Sequence, residues 1–152
     1  MELQVGVKIL LQNSDGKYLL VRRNPKKYPE VGPKWDIVGG RINAGTTLLE
    51  NLKREIKEEV GLEYTGEPKL VAAQDILVRR YADSADSADT ALNEITRHVV
   101  RLTFLGEIEG EPKIDEDHLE AGWFSAKEIK NFDPNVLDGY FRSLVVEKVV
   151  SL

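Results

Sequence analysis

The feature that most constrains the fold is one long helical pattern set between segments with strand patterns. Leucine, isoleucine and valine recur every three or four residues over residues 47–60, which predicts an amphipathic helix with one apolar stripe. Thr47 followed by Glu50 is typical of a capping box, and Gly61 stands where helices commonly end. We therefore expect this helix to pack through its stripe against another layer of the protein.

Strand patterns occupy much of the rest of the chain. Two apolar runs flank Asn13-Ser14-Asp15-Gly16, and they predict a β-hairpin because an Asp-Gly pair tolerates the positive φ of a tight turn. Four further apolar runs predict four more strands. The predicted strands cover residues 3–11, 18–21, 35–38, 70–80, 95–105 and about 122–124, and the one at 35–38 is expected to stop at Gly39-Gly40.

Loops and two more helices complete the predicted order. Residues 24–34 contain several prolines, and residues 82–89 repeat small and acidic side chains that have nothing to bury, so both are predicted to be loops, the second a mobile one. A capping box at Ser125 begins a short helix, and Asp133-Pro134 begins a last helix. Strands, helix, strands and helices in this order predict one mixed α/β domain over residues 1–152.

Composition excludes several classes of site and partner. The 152 residues include no cysteine, which excludes a disulfide framework, a thiolate nucleophile and cysteine-ligated zinc. The net charge of −5 disfavours binding to a nucleic acid polymer or to an anionic membrane. No apolar run approaches the roughly 20 residues that span a bilayer, and residues 1–4 lack a signal-peptide pattern. We expect a cytoplasmic protein, either a monomer or a homodimer.

The predicted helix carries three carboxylates on one face. Glu55, Glu58 and Glu59 fall within an arc of about 100°, and like charges at these spacings repel by a few tenths of a kcal/mol per pair. One interpretation is a solvated acidic face that is partly offset by attraction of Arg54 to Glu50 and Glu58. The other is a Mg²⁺ site, since a hard cation takes oxygen ligands and cancels the repulsion.

The residues around these carboxylates resemble the Nudix box. That motif is a glycine, five residues, Glu, seven residues, and then Arg-Glu-apolar-x-Glu-Glu-x-Gly-apolar. Gly40 and the run Arg54-Glu55-Ile56-Lys57-Glu58-Glu59-Val60-Gly61-Leu62 match it. The chain departs from the family pattern where Thr46 replaces the first Glu, where Asn51 replaces a small residue, and where Val38 replaces the Pro before Gly39-Gly40.

The resemblance implies an α/β/α sandwich with a central mixed sheet. It also implies a hydrolase that cleaves a diphosphate linked to another group, usually a nucleoside, with Mg²⁺ (or Mn²⁺). Arg97-His98-Val99 and Gly110-Glu111-Pro112 resemble stretches of the mutator-type nucleoside triphosphatases. This favours as substrate a nucleoside triphosphate, with oxidised nucleotides included, that is cleaved to the monophosphate and pyrophosphate.

Two alternatives remain open at this point. One is a hydrolase of ADP-ribose, nucleotide-sugars or dinucleoside polyphosphates. The other is a Nudix-like module that binds nucleotides without cleaving them. Thr46 in place of Glu favours the binding module, and the three glutamates oppose it.

The resemblance also implies roles for individual residues. Glu58 and Glu59 are expected metal ligands, Glu55 a ligand or the base that activates water, the Gly39 carbonyl a further ligand, and Arg54 a group that positions the carboxylates. Glu116 falls where the mutator-type enzymes carry a fourth carboxylate, although Asp115, Asp117 and Glu120 remain alternatives.

Candidate substrate contacts lie outside the box. Arg23 is the expected phosphate contact, the alternative being a solvated strand end. Asn135 falls roughly where the mutator-type enzymes read a purine, the alternative being a local helix cap. His118, in an acidic loop, is expected to be solvated.

Overall fold

The computed structural model describes residues 1–27, 32–80, 94–150 and 152. The predicted loop at 82–89 and residues 28–31 of the loop at 24–34 lie outside the described residues. None of the helices formed by the residues it describes is long and apolar enough to cross a membrane. In chain order the elements are β1 Glu2–Gln12, β2 Tyr18–Arg23, β3 Trp35–Asp36, β4 Val38–Arg41, α1 Leu48–Val60, β5 Lys69–Arg80, β6 Glu94–Glu107, β7 His118–Phe124, α2 Ala126–Asn131, a 3₁₀ turn Pro134–Val136, and α3 Gly139–Val146.

The strands form a mixed sheet around β1. Strand β1 runs parallel to β6 from Glu2↔Arg97 to Gln12↔Glu107, and β5 pairs with the far side of β6 in the antiparallel sense. On its other edge, β1 pairs with β2 only at Gln12↔Tyr18, next to the predicted hairpin turn, and then with β4. Because β2 diverges from β1, strand β4 lies beside the middle of β1 and brings Gly39 and Gly40 there.

Alternate residues of β1 enter two separate cores. Val7, Ile9 and Leu11 pack with the apolar stripe of α1, whereas Leu10 packs with residues of α2 and α3. The predicted stripe of α1 is confirmed at Leu52, Ile56 and Val60, which are fully buried, but it is wrong at Leu49, which is 38% exposed in the first turn. A sheet with one helix on one face and two on the other is the predicted α/β/α sandwich with a central mixed sheet.

The strand predicted at 35–38 is wrong in its bounds. The structure has two short strands, Trp35–Asp36 and Val38–Arg41, and the second continues through both glycines. Gly39 has a φ of 151°, and a Cβ there would lie 2.0 Å from the carbonyl oxygen of Val7. The glycines therefore allow β4 to approach β1 closely. The predicted end of the strand at Gly39-Gly40 is replaced by this pairing.

The last helix predicted from Asp133 is interrupted. A 3₁₀ turn ends at Val136, Leu137 is extended, and α3 begins only after Asp138. The backbone N–H of Asp138 donates to the carbonyl of Trp35 at 2.8 Å, and the Asp138 carboxylate accepts from the backbone N–H groups of Tyr140 and Phe141. The chain before α3 therefore pairs with β3, and Asp138 begins a new helix in place of a continuous one.

Candidate active site

Helix α1 holds the glutamate face in a fixed orientation. The Thr47 hydroxyl accepts from the Glu50 N–H at 3.1 Å, and the Glu50 carboxylate accepts from the Thr47 N–H at 2.7 Å, which confirms the capping box. At the other end Gly61 adopts the left-handed conformation at φ 69°. With both ends fixed and the apolar stripe buried, Glu55, Glu58 and Glu59 project beside β4.

Two of the three glutamates lie against the backbone of Gly39 and Gly40. The Gly39 N–H donates to Glu59 Oε2 at 2.8 Å. A Cβ at Gly40 would lie 2.6 Å from Glu55 Oε1, so a larger residue there would displace this carboxylate. The close approach of helix and strand therefore depends on glycine at both positions.

Arg54 connects the glutamates to the loop before the helix. Its guanidinium donates to Glu55 Oε1 at 2.8 Å, to the Arg41 carbonyl at 3.0 Å and to Asn51 Oδ1 at 3.0 Å, and it lies 3.4 Å from Glu58 Oε2. The predicted Arg54–Glu58 attraction is present. The contact with Glu50 is not, because the capping box engages that carboxylate.

The two box positions that depart from the family pattern contact each other. Asn51 is buried, and its side-chain amide donates to the Thr46 hydroxyl at 2.7 Å while its carbonyl accepts from Arg54 and from the Asn43 N–H. Thr46 also donates to the Asn43 carbonyl at 2.5 Å. The hydrogen-bond acceptor for Arg54 in this pair is therefore Asn51, whereas the Thr46 hydroxyl bonds to Asn51 and Asn43.

Glu59 is the most buried of the three glutamates, with a residue exposure of 7%. Burial raises the pKa of Glu59 to about 8; Glu55 acts in the same direction, while Lys8 and the Gly39 N–H act against it. Burial also raises the pKa of Glu55, against the nearby Arg54. The Glu58 side chain is 57% exposed and lies at the open side of the face. A buried carboxylate with a raised pKa lacks sufficient positive charge around it.

His118 joins Glu59 to the acidic loop, and the prediction that it is solvated is wrong. Its ring is buried at the start of β7, with Nε2 3.4 Å from Glu59 Oε1 and Nδ1 2.7 Å from Asp115 Oδ1. Pairing of β7 with β2, in which His118 lies opposite Arg23, carries the ring inward. A residue that ends a loop and begins a strand gave no such signal in the sequence.

The acidic residues of this loop differ in what they contact. Asp115 reaches Glu59 through His118, whereas Asp117 pairs with Lys27 at 3.2 Å and Glu120 pairs with Arg22 at 2.9 Å. Glu116 is exposed, and its backbone carbonyl accepts from Asn24. The role of Glu116 as a fourth carboxylate stays a prediction, and Asp115 is the member of the group that the described contacts connect to α1.

A second cluster of buried charges was missed by sequence reasoning. The Asp36 carboxylate, 1% exposed, contacts Lys8, Arg23 and Arg101, and Asp138 contacts the same two arginines. Burial alone would raise the pKa of Asp36, but these three cations hold it well below its usual range. A lysine within an apolar strand was the available signal, because a buried charge requires a partner.

The two predicted substrate contacts lie in different surroundings. Arg23 donates to both Asp36 and Asp138, and its side chain is 16% exposed. Asn135 lies in the 3₁₀ turn, lining a shallow pocket with Arg22 and Trp35, and the cap of that turn is Asp133. Contact of either residue with substrate stays a prediction.

The donor atoms at the glutamate face fit a hard divalent cation. Within residues 1–27, 32–80 and 94–150, no three acidic or histidine side chains converge into a ready-made ligand cage. The ligands expected on this face, the glutamate carboxylates and the carbonyl of Gly39, are all oxygen donors, which are what Mg²⁺ and Mn²⁺ take. The fold holds the buried Glu59 carboxylate against the Gly39 N–H and the Glu55 carboxylate against Gly40, so both donors have fixed positions on this face.

Comparison with known proteins agrees with this geometry. The nucleoside triphosphatase NudI of Escherichia coli O17:K52:H18 (strain UMN026 / ExPEC) is 32% identical over 130 residues, which cover 84% of this chain and 85% of that protein. The MutT protein from Methanosarcina mazei Go1 superposes with a TM-score of 0.73 at 24% identity, covering 97% of this chain and 93% of that one.

A MutT NUDIX hydrolase from Burkholderia pseudomallei superposes with a TM-score of 0.68 at 23% identity, over 99% of this chain and 100% of that one. Both of these solved structures share the fold of this chain. Residues 2–142, from the first strand into α3, match the model of the NUDIX domain. The chain therefore belongs to the Nudix family, as a Nudix pyrophosphohydrolase.

Proposed function

We propose that this protein is a metal-dependent hydrolase that cleaves a nucleoside triphosphate with water to a nucleoside monophosphate and pyrophosphate. One observation carries the proposal: α1 presents three carboxylates, two of them against the Gly39-Gly40 backbone, with too little positive charge around them for balance. A divalent cation supplies the missing charge, and a triphosphate brings negative charge that this acidic face would repel without it. The nucleoside triphosphatase NudI relatives support the choice of substrate. We place this activity in one domain over residues 1–152.

The residues that would hold Mg²⁺ or Mn²⁺ are Glu55, Glu58, Glu59 and the Gly39 carbonyl, with Glu116 or Asp115 from the acidic loop. When bound, such an ion stabilises the negative charge that develops on phosphate oxygens as water attacks phosphorus. Glu55 has a second candidate role as the base that takes a proton from this water. Burial raises the pKa of Glu55, which is in keeping with that role because a carboxylate with a raised pKa is a stronger base than a solvated one.

Neighbouring groups orient these carboxylates. Arg54 donates to Glu55 and lies within ion-pair distance of Glu58, and its own position is fixed by Asn51 and the Arg41 carbonyl. His118 lies between Glu59 and Asp115, which limits rotation of the Glu59 carboxylate. Arg23 and Asn135 are the candidate contacts to phosphate and to base.

A substrate panel tests this proposal. The protein is assayed with Mg²⁺, Mn²⁺ or EDTA against the canonical and oxidised nucleoside triphosphates, ADP-ribose, a nucleotide-sugar and a dinucleoside polyphosphate, and products are identified by ³¹P NMR. The expected result is metal-dependent release of monophosphate and pyrophosphate from a triphosphate. Cleavage confined to the other compounds would identify a different Nudix substrate class, and tight nucleotide binding without cleavage would identify a binding module.

A further inference from the structure

Lys8 is a charged residue in the middle of an otherwise apolar strand. Its neighbours Val7 and Ile9 are fully buried in the core beneath α1, while Lys8 lies on the opposite face of β1 with 16% of its side chain exposed. Burying a lysine at this level costs free energy unless its ammonium finds partners. The contacts of the Lys8 ammonium must therefore offset this cost.

The ammonium of Lys8 has three oxygen partners, two carbonyls to which it donates and one carboxylate with which it forms an ion pair. They are Asp36 Oδ2 at 3.2 Å, the carbonyl oxygen of Ile37 at 3.2 Å and the carbonyl oxygen of Gly39 at 3.3 Å. The Gly39 carbonyl is also one of the oxygens that we propose for the divalent cation. Lys8 thus connects the buried charge cluster to the glutamate face.

Lys8 carries the surplus charge of the buried cluster. Arg23 and Arg101 contact both Asp36 and Asp138, so these four side chains have two positive and two negative charges. Lys8 adds a third positive charge that the cluster does not need for balance. Burial raises the pKa of Glu59 and of Glu55, and the Lys8 ammonium opposes this effect at both carboxyls, so its field reaches the glutamate face.

We propose that Lys8 is the internal counter-ion of this site, stabilising the glutamate face and the Gly39 carbonyl when no divalent cation is present and weakening the binding of that cation. The inference rests on the proposed function in one respect, namely that the cation binds at these glutamates and this carbonyl. A cation that takes the Gly39 carbonyl competes with the ammonium for it and is repelled by the positive charge. Lys8 is in this sense a positioning residue that sets metal affinity.

Three variants separate charge from hydrogen bonding and from position. Lys8→Met keeps the length of the side chain without its charge, and Lys8→Gln keeps a donor for the carbonyls without the charge. Lys53→Met makes the same charge change at an exposed position of α1 and serves as the control. The Kd for Mn²⁺ is measured by calorimetry, and the Tm is measured in EDTA and at saturating Mn²⁺.

Both Lys8 variants are expected to bind Mn²⁺ about tenfold more tightly than the wild type, with a lower Tm in EDTA and a larger rise in Tm on adding Mn²⁺. Lys53→Met is expected to stay within about twofold of the wild-type Kd because an exposed charge is screened. If Lys8→Met fails to fold, Lys8→Gln decides.

An unchanged or weaker Mn²⁺ affinity in a folded Lys8 variant would overturn the inference, as would tightening in the Met variant but not in the Gln variant. A rise in KM for nucleotide without a change in the Mn²⁺ Kd would also overturn it, since Lys8 would then be a phosphate contact. In each of these cases the wild type still binds Mn²⁺ and hydrolyses its substrate, so the proposed function stands. A wild type that binds no Mn²⁺ would refute both.

Discussion

Three cations surround the two carboxylates Asp36 and Asp138, and two of the three contact both. Of the three glutamates of α1, Glu55 and Glu58 contact one arginine, while Glu59 has the field of Lys8 and the ring of His118. Both groups of carboxylates are partly or fully buried, but the first is compensated within the protein and the second is not. The pKa of Asp36 lies well below its usual range, while burial raises that of Glu59 to about 8. The comparison separates a charge cluster that is compensated within the protein from one for which we propose a cation from solution.

The largest expected effect comes from breaking the compensated cluster. Asp36→Asn leaves Lys8, Arg23 and Arg101 with Asp138 as the remaining carboxylate, and uncompensated buried charge of this kind destabilises a protein by about 3–5 kcal/mol. Urea unfolding measures the change. Glu63→Gln is the control, because Glu63 and Lys57 form an exposed pair at 3.7 Å that is expected to contribute at most about 1 kcal/mol.

A loss in Asp36→Asn no larger than in Glu63→Gln would show that the buried cluster does not stabilise the fold.

Neutralising a glutamate of α1 should have the opposite effect, because activity should fall while the protein still folds. Glu58→Gln and Glu59→Gln are each expected to lower kcat by at least about 100-fold, since electrostatic stabilisation of the transition state is lost. Circular dichroism and steady-state kinetics at saturating Mg²⁺ measure the two properties. Near-normal kcat in both variants would contradict the metal assignment, and Glu63→Gln again provides the charge-matched control.

The dependence of stability on pH sharpens the contrast. The pKa of Glu59 is about 8 in the folded protein and ordinarily near 4.5, so between these values the folded state holds a proton that the unfolded state has lost. The free energy of unfolding of the metal-free protein therefore falls as pH rises through this range. Glu59→Gln removes this decline, so it should become increasingly more stable than the wild type as pH rises towards 8.

Denaturant unfolding in EDTA from pH 5 to 8 measures this difference. Parallel curves for the wild type and Glu59→Gln would show that Glu59 is ionised throughout.

The smallest effect is expected at Thr46. Because Asn51 already accepts from Arg54, a carboxylate at position 46 is not needed to hold that guanidinium. Thr46→Glu is expected to keep kcat/KM within about threefold, and it places a negative charge near the start of α1 that contributes about 0.3–1 kcal/mol. Asn51→Ala should reduce kcat/KM more than either Thr46→Glu or Thr46→Ala. A tenfold loss in Thr46→Glu with an intact fold would show that the Thr46 hydroxyl is required.

The parts of this molecule that local patterns encode were predictable from the sequence. Apolar residues at helical spacing, a capping box and a terminal glycine define α1, and the alternation of β1 between two cores follows from its apolar run. The glutamate face was predictable for the same reason, because residues three and four apart share one side of a helix.

The rest depends on contacts between distant segments. Strand β4 continues through Gly39 because β2 leaves room beside β1, and the last helix restarts at Asp138 because its backbone pairs with Trp35. His118 is buried by the pairing of β7 with β2, and the cations around Asp36 come from three different strands. No local pattern records such pairings, so sequence reasoning treated these residues as a strand end, a helix continuation and a solvated loop.

The central claim is that the glutamate face takes its missing positive charge from a divalent cation. Calorimetric titration of Mn²⁺ at pH 7, repeated in buffers of different ionisation enthalpy, tests it most directly, since a carboxyl with a pKa of about 8 is mostly protonated there and must release its proton to bind metal. The wild type is predicted to bind Mn²⁺ with release of about one proton, and Glu59→Gln to bind at least about tenfold more weakly without that release. Absence of Mn²⁺ binding to the wild type, or equal binding and proton release in Glu59→Gln, would contradict the account.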